Sequence, residues 1–109
     1  MYTVKQLSNL AGISVRTLHY YDEIGLLKPS SVGGNGYRYY GDNALIRLQQ
    51  ILFYRELDLS LSGIKRILGS PDFDVKQALQ AHKQALGWRV ERLNRLIRTV
   101  DATILYLKG

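Results

Sequence analysis

Ser14, Arg16, Thr17, His19 and Tyr20 crowd into one short stretch, and Tyr37, Arg38 and Tyr39 form a second cluster further along. Guanidinium, imidazole, hydroxyl and phenol groups at this density suit hydrogen bonding to phosphate oxygens and to base edges in a nucleic-acid groove. The bland alternative is the polar outer face of a two-helix corner for the first cluster and core filling for the second. Other chemistries are poorly served. The chain has no cysteine, which excludes disulfides, thiolate metal sites and cysteine nucleophiles. His19 and His82 stand in no metal-ligand or paired-acid spacing. Asp22-Glu23 reads as a solvated helix end, and Asp72 with Asp74 as a helix-start pair favourable to the dipole. The expectation is a protein that is no enzyme and carries no metal or cofactor.

Fifteen Lys and Arg against nine Asp and Glu give a net charge of +6, which favours a polyanionic partner. With 46% hydrophobic and 22% charged residues, the composition is that of an ordinary folded chain. The length of 109 residues accommodates a compact head plus an appended helix, not two large domains. The N-terminus lacks the basic-then-apolar pattern of a signal peptide, and no apolar run approaches the roughly 20 residues that cross a bilayer. No membrane role is expected, and the expected compartment is the cytoplasm, in association with the nucleoid.

The elements that must hold the two clusters can be read from caps and periodicity. Thr3 and Gln6 make a capping box for a first helix bearing Val4, Leu7, Leu10 and Ala11. Gly12 stops it, Ile13 fills the turn, and Ser14 caps a second helix over about Val15 to Ile24. That is a helix-turn-helix, with Val15 and Leu18 packing and Arg16, Thr17, His19 and Tyr20 on the other sides. Gly25 ends the second helix, and Pro29 keeps the following segment extended. Gly33-Gly34-Asn35-Gly36 then precedes an aromatic, strand-prone run, predicting a β-hairpin wing. On a strand, Tyr37 and Tyr39 share one side while Arg38 and Tyr40 share the other. Asp42 is the expected cap of a third helix bearing Leu45, Leu48, Ile51 and Leu52. Ser62 is the expected cap of a short fourth, and Gly69-Ser70-Pro71 closes the head.

Beyond Pro71 the pattern changes. Leu86, Val90, Leu93, Ile97, Val100, Ile104 and Leu107 alternate spacings of four and three, a heptad seam that Leu79 extends upstream across a polar interruption at His82 and Lys83. Arg89, Arg92, Arg95 and Arg98 drift around the other faces as solubilising charge. An exposed apolar seam needs a partner helix, and a second copy of the chain is the expected one. The fold class predicted is mainly α, with a winged helix-turn-helix head of four helices and a hairpin over residues 1–70 and a long dimerisation helix over 71–109.

Taken in order, Val4-Lys5-Gln6-Leu7-Ser8, Gly12-Ile13-Ser14, Arg16 to Asp22, Gly25-Leu26-Leu27, Gly36 to Tyr40 and Leu48 to Leu52 resemble the N-terminal region of a MerR-family transcription regulator over nearly the whole chain. The resemblance implies an antiparallel coiled coil between two protomers and binding to a pseudo-palindromic double-stranded promoter. It also implies activation by distortion of the spacer between promoter elements, so that RNA polymerase engages both through the shared DNA. It places Arg16, Thr17 and Tyr20 on the recognition helix and Tyr37 and Arg38 on the wing. Two departures stand out. Residue 19 is His where many members carry Arg, as in a subset resembling multidrug- and thiopeptide-responsive activators. Neither an effector domain nor metal-binding cysteines follow the seam within these residues, so no effector can be assigned. The same features also admit an architectural, excisionase-like DNA-bending protein, or an adaptor that uses the coiled coil to hold a protein partner.

Overall fold

The computed structural model describes residues 1–109 and divides into two compact units, Met1–Phe73 and Asp74–Gly109. The first unit contains β1 (Tyr2–Thr3), α1 (Val4–Ala11), α2 (Val15–Glu23), β2 (Ser31–Val32), β3 (Arg38–Tyr40), α3 (Asp42–Glu56) and α4 (Leu61–Leu68). The second is a single helix, α5 (Val75–Lys108).

The head begins as its capping box dictates. The Thr3 hydroxyl accepts the Gln6 amide at 3.1 Å, and the Gln6 side chain accepts the Thr3 amide at 2.9 Å. Gly12 ends α1 at φ +72°, a left-handed conformation costly for a residue with a Cβ. Ser8 then spans the turn: its carbonyl accepts the amides of Gly12 and Ile13, and its hydroxyl donates to the Ile13 carbonyl. These bonds fix the approach of α2 to α1.

The sheet has three strands in the order β1-β3-β2, all antiparallel, with Tyr2 opposite Tyr40 and Val32 opposite Arg38. The sequence predicts only the hairpin. β1 is two residues long, too short to show a period, and it ties the wing to the N-terminus of α1. The core beneath is Leu7 and Leu18 from the helix-turn-helix, Leu26 and Leu27 from the following turn, Tyr40 from the wing, Leu48 and Ile51 from α3 and Ile64 from α4.

Two caps differ from expectation. Gly41, not Asp42, is the N-cap of α3, and Asp42 lies in the first turn, where its carboxylate still favours the helix dipole. The Gly41 amide is taken by the Ser30 hydroxyl at 2.9 Å, which fixes the chain entry one residue early. Ser60, not Ser62, caps α4, its hydroxyl accepting the Gly63 amide at 3.1 Å. Starting two residues sooner places Leu61 in the helix, where it and Leu59 pack against the core.

Asp74 caps α5 by accepting the Gln77 amide at 3.1 Å, and the helix then runs for 34 residues, about 50 Å. Within one chain its seam is open to solvent, from 36% exposure at Leu79 to 76% at Leu107. No helix is long and apolar enough to cross a membrane.

His82, read from the sequence as a polar interruption of the seam, is instead buried, with 8% exposure. Burial lowers its pKa below the usual 6.5. The unfolded chain therefore binds more protons between the two pKa values. Stability is full above about pH 6.5 and falls as the pH drops through that value toward the lower, folded one. We expect the thermal midpoint to fall further between about pH 7 and pH 5 in the parent than in His82→Gln. Superimposable pH profiles for the two proteins would show that His82 does not govern the loss.

Candidate nucleic-acid interface

Ser14 organises the start of α2: its hydroxyl accepts the Thr17 amide at 3.0 Å and lies 2.9 Å from the Thr17 hydroxyl. Leu18 and Tyr21 are buried on the inner side of this helix. Arg16 and Tyr20, four residues apart, are exposed on its outer side, and Thr17 and His19 are half-buried at the flanks. One helical face thus presents a guanidinium, a phenol, an imidazole and a hydroxyl, while the opposite face is anchored in the core.

The wing turns at Gly33–Gly36, with the Gly36 amide bonded to the Gly33 carbonyl at 2.9 Å and Gly36 at φ +81°. Asn35 accepts the Tyr37 amide at 3.0 Å. Tyr37 projects into solvent at 65% exposure, whereas Tyr40 points into the core. Burial, reinforced by the nearby Asp22 carboxylate, pushes the Tyr40 phenol above its usual pKa and holds it neutral. Tyr39 is half-buried with its ring against the backbone of Gly33, where an added Cβ would lie 3.1 Å from the ring.

The two clusters meet. Arg38 Nε donates to Asp22 Oδ2 at 3.1 Å, joining the wing to α2, and Lys28 Nζ lies 3.6 Å from the other Asp22 oxygen. Asp22 is therefore not the solvated helix end read from the sequence. Its side chain is 21% exposed and its charge is compensated by two cations. Between the wing and the helices lies a cleft of about 450 Å³, walled by Thr3, Lys5, His19, Gly36, Tyr37 and Arg38 among others. Lys5 belongs to this basic and aromatic wall, although nothing in its local spacing marks it out. Ser14, Arg16, Thr17 and Tyr20 stand on or at the start of the helix that carries His19, whereas Tyr39 lies against Gly33 and does not line the cleft.

This arrangement has close counterparts. Residues 2–70 match the family model described as MerR HTH family regulatory protein, and residues 45–107 match that described as MerR, DNA binding. The chain is 52% identical over 109 residues to the HTH-type transcriptional regulator SkgA of Caulobacter vibrioides, covering all of this chain and 43% of that protein. It is 47% identical over 108 residues to the HTH-type transcriptional activator mta of Bacillus subtilis, covering 99% of this chain and 42% of the activator. The chain thus spans about two-fifths of the length of these curated relatives. The crystal structure of SkgA from Caulobacter crescentus superposes with a TM-score of 0.88 at 53% identity, over 99% of this chain and 78% of that one. That of MtaN, the N-terminus of the Bacillus subtilis multidrug transporter activator, gives 0.65 at 48% identity, over 96% and 99%.

Proposed function

The chain belongs to the MerR family of helix-turn-helix regulatory proteins, and from that membership we propose that it binds double-stranded promoter DNA as a homodimer and regulates transcription. The observation that carries this reading is the outer face of α2, where Arg16 and Tyr20 stand exposed, together with a wing whose Tyr37 is also exposed. A helix of this kind fits the major groove with its side chains on base edges, while the wing reaches the adjacent backbone. Arg16, Thr17, His19 and Tyr20 are the reading set, positioned by Ser14. Tyr37, Arg38 and Tyr39 serve the wing. Two heads are joined through the α5 seam from Leu79 to Leu107, which sets the distance between half-sites.

Its mode of regulation is activation. A dimer that holds two heads at fixed separation on a pseudo-palindrome bends and untwists the base pairs between them, and that deformation brings both promoter elements into register for RNA polymerase. The activator mta supports this reading by its likeness across nearly all of the chain. No bond is made or broken in such a mechanism.

Footprinting on the DNA flanking the coding region, followed by salt titration on the protected fragment, tests the proposal. We expect a symmetric protected site with a hyper-reactive centre. With about six phosphates neutralised, affinity falls about a thousandfold between about 50 and 200 mM salt. An affinity flat across that range would rule out a phosphate-gripping interface. A protected site without central distortion would remove the activation mechanism and leave DNA binding standing.

A further inference from the structure

Three side chains from three separate elements converge on the C-terminal end of α2 and the turn that follows it. Lys65 of α4 donates from Nζ to the Ile24 carbonyl at 2.8 Å, and Arg47 of α3 donates from Nε to the Leu26 carbonyl at 2.8 Å. Arg38 of β3 reaches Asp22 at 3.1 Å. These links close over 41, 21 and 16 residues of sequence respectively, so none is a consequence of local helix geometry.

The turn is built to receive them. Its amides are already used, with Ile24 bonded to the Tyr20 carbonyl, Gly25 to Asp22, and both Leu26 and Leu27 to Tyr21. The Ile24 and Leu26 carbonyls accept the cationic side chains, at the end of the helix where the dipole favours positive charge. Gly25 takes φ +73°, and a Cβ there would stand 3.3 Å from Lys65 Nζ, so glycine permits both the turn and the approach of the lysine. Arg47 accepts partial burial, which lowers its pKa, to make its bond.

We propose that Asp22, Arg47 and Lys65 are positioning residues that clamp the end of the recognition helix, Asp22 to the wing, Arg47 to α3 and Lys65 to α4, and so control discrimination between sites. The inference rests on the DNA-binding reading above. Asp22 gives it a sharp sign. Removing a carboxylate from a DNA-binding face makes the head more positive, and simple electrostatics then tightens binding to every duplex. Loss of a positioning contact instead weakens binding to the correct site, because Arg38 and the α2 face no longer meet the DNA in register. Lys65 is distinguished by salt. A lysine on phosphate contributes about one counterion to the salt slope, whereas a lysine on a backbone carbonyl contributes none.

The test compares the parent with Asp22→Asn, Lys65→Met and Lys65→Arg, using the footprinted fragment and a random duplex of equal length, at a temperature where circular dichroism shows all four folded. The loss of one charge-assisted hydrogen bond corresponds to about a tenfold drop in affinity for the footprinted fragment. We expect that drop in Asp22→Asn, with binding to the random duplex unchanged or tighter. Lys65→Met weakens specific binding with an unaltered salt slope, and Lys65→Arg recovers most of it. Amide exchange in the free proteins provides a second readout, with faster exchange at Leu26 and Leu27 in Asp22→Asn and Lys65→Met. Equal tightening on both duplexes in Asp22→Asn, a shallower salt slope in Lys65→Met, or unchanged exchange at Leu26 and Leu27 would each overturn the clamp. If the parent retains neither DNA, the DNA-binding reading fails, and amide exchange still decides whether these residues hold the turn.

Discussion

A chain carrying Leu93→Glu and Ile97→Glu sediments as a monomer, and at concentrations where the parent retards a DNA with both half-sites it retards none. The expectation follows from the exposure of the seam. Leu93 is 58% and Ile97 56% open in one chain, and Val90, Val100 and Ile104 beside them are similarly bare. A side chain of this size gains about 1.5–3 kcal/mol when fully buried, and every seam position counts twice in a symmetric pair. Two glutamates at the centre remove four such contributions and place like charges in the interface. The DNA consequence is larger than any single contact can produce. With the heads tethered, the second binds at high effective concentration, and loss of the tether costs about 10²–10⁴ in apparent affinity. Arg95→Glu, away from the seam, is the control and leaves the dimer intact. A parent that already sediments as a monomer at tens of micromolar, by order of magnitude well above a working Kd, would remove the dimer from the proposal.

What could be read in advance divides by the range of the interaction. The Thr3 and Gln6 capping box, the Gly12 stop and the Ser14 cap are satisfied within three to five residues of sequence, and each forms as read. Repetition makes the α5 pattern conspicuous in the same way. Caps became ambiguous where two candidates stood close together. Ser60 and Ser62 are equally good cap residues, and the choice falls to Ser60 because Leu59 and Leu61 pack on the core. Asp22 shows a different obstacle. Beside Glu23 at a helix end it resembles a solvated charge, and its partner Arg38 lies across the turn and the wing, where no periodicity connects them. Arg47 and Lys65 were harder still. Their acceptors are main-chain carbonyls, which every residue possesses, so no residue type at positions 24 or 26 announces the bond. The candidate surface is therefore more legible than the scaffold that positions it.

Arg16→Ala is expected to lower affinity for the footprinted site about a hundredfold in the dimer, and to relax preference at the base pair that Arg16 meets. A good bidentate arginine contact discriminates by about 1–3 kcal/mol, and symmetry applies the loss in both heads. Arg16 is suited to this role by placement. It is exposed near the start of α2, it stands outside the ion pairs that Asp22 makes with Lys28 and Arg38, and Leu18 and Tyr21 anchor the opposite face of the same helix. Arg38, by contrast, already spends Nε on Asp22, so its removal disturbs the wing as well as any DNA contact. Arg16→Lys separates reading from simple charge. Lysine preserves attraction to phosphate but lacks the planar fork that matches two acceptors on one base edge, so it restores random-duplex affinity without restoring the preference. If Arg16→Ala weakened specific and random DNA equally and lowered the salt slope by about one per head, Arg16 would be a phosphate contact, and base reading would pass to Thr17, His19 and Tyr20. That outcome would relocate recognition on α2 without moving it off the helix, because these three share the solvent-facing arc that Leu18 and Tyr21 leave open.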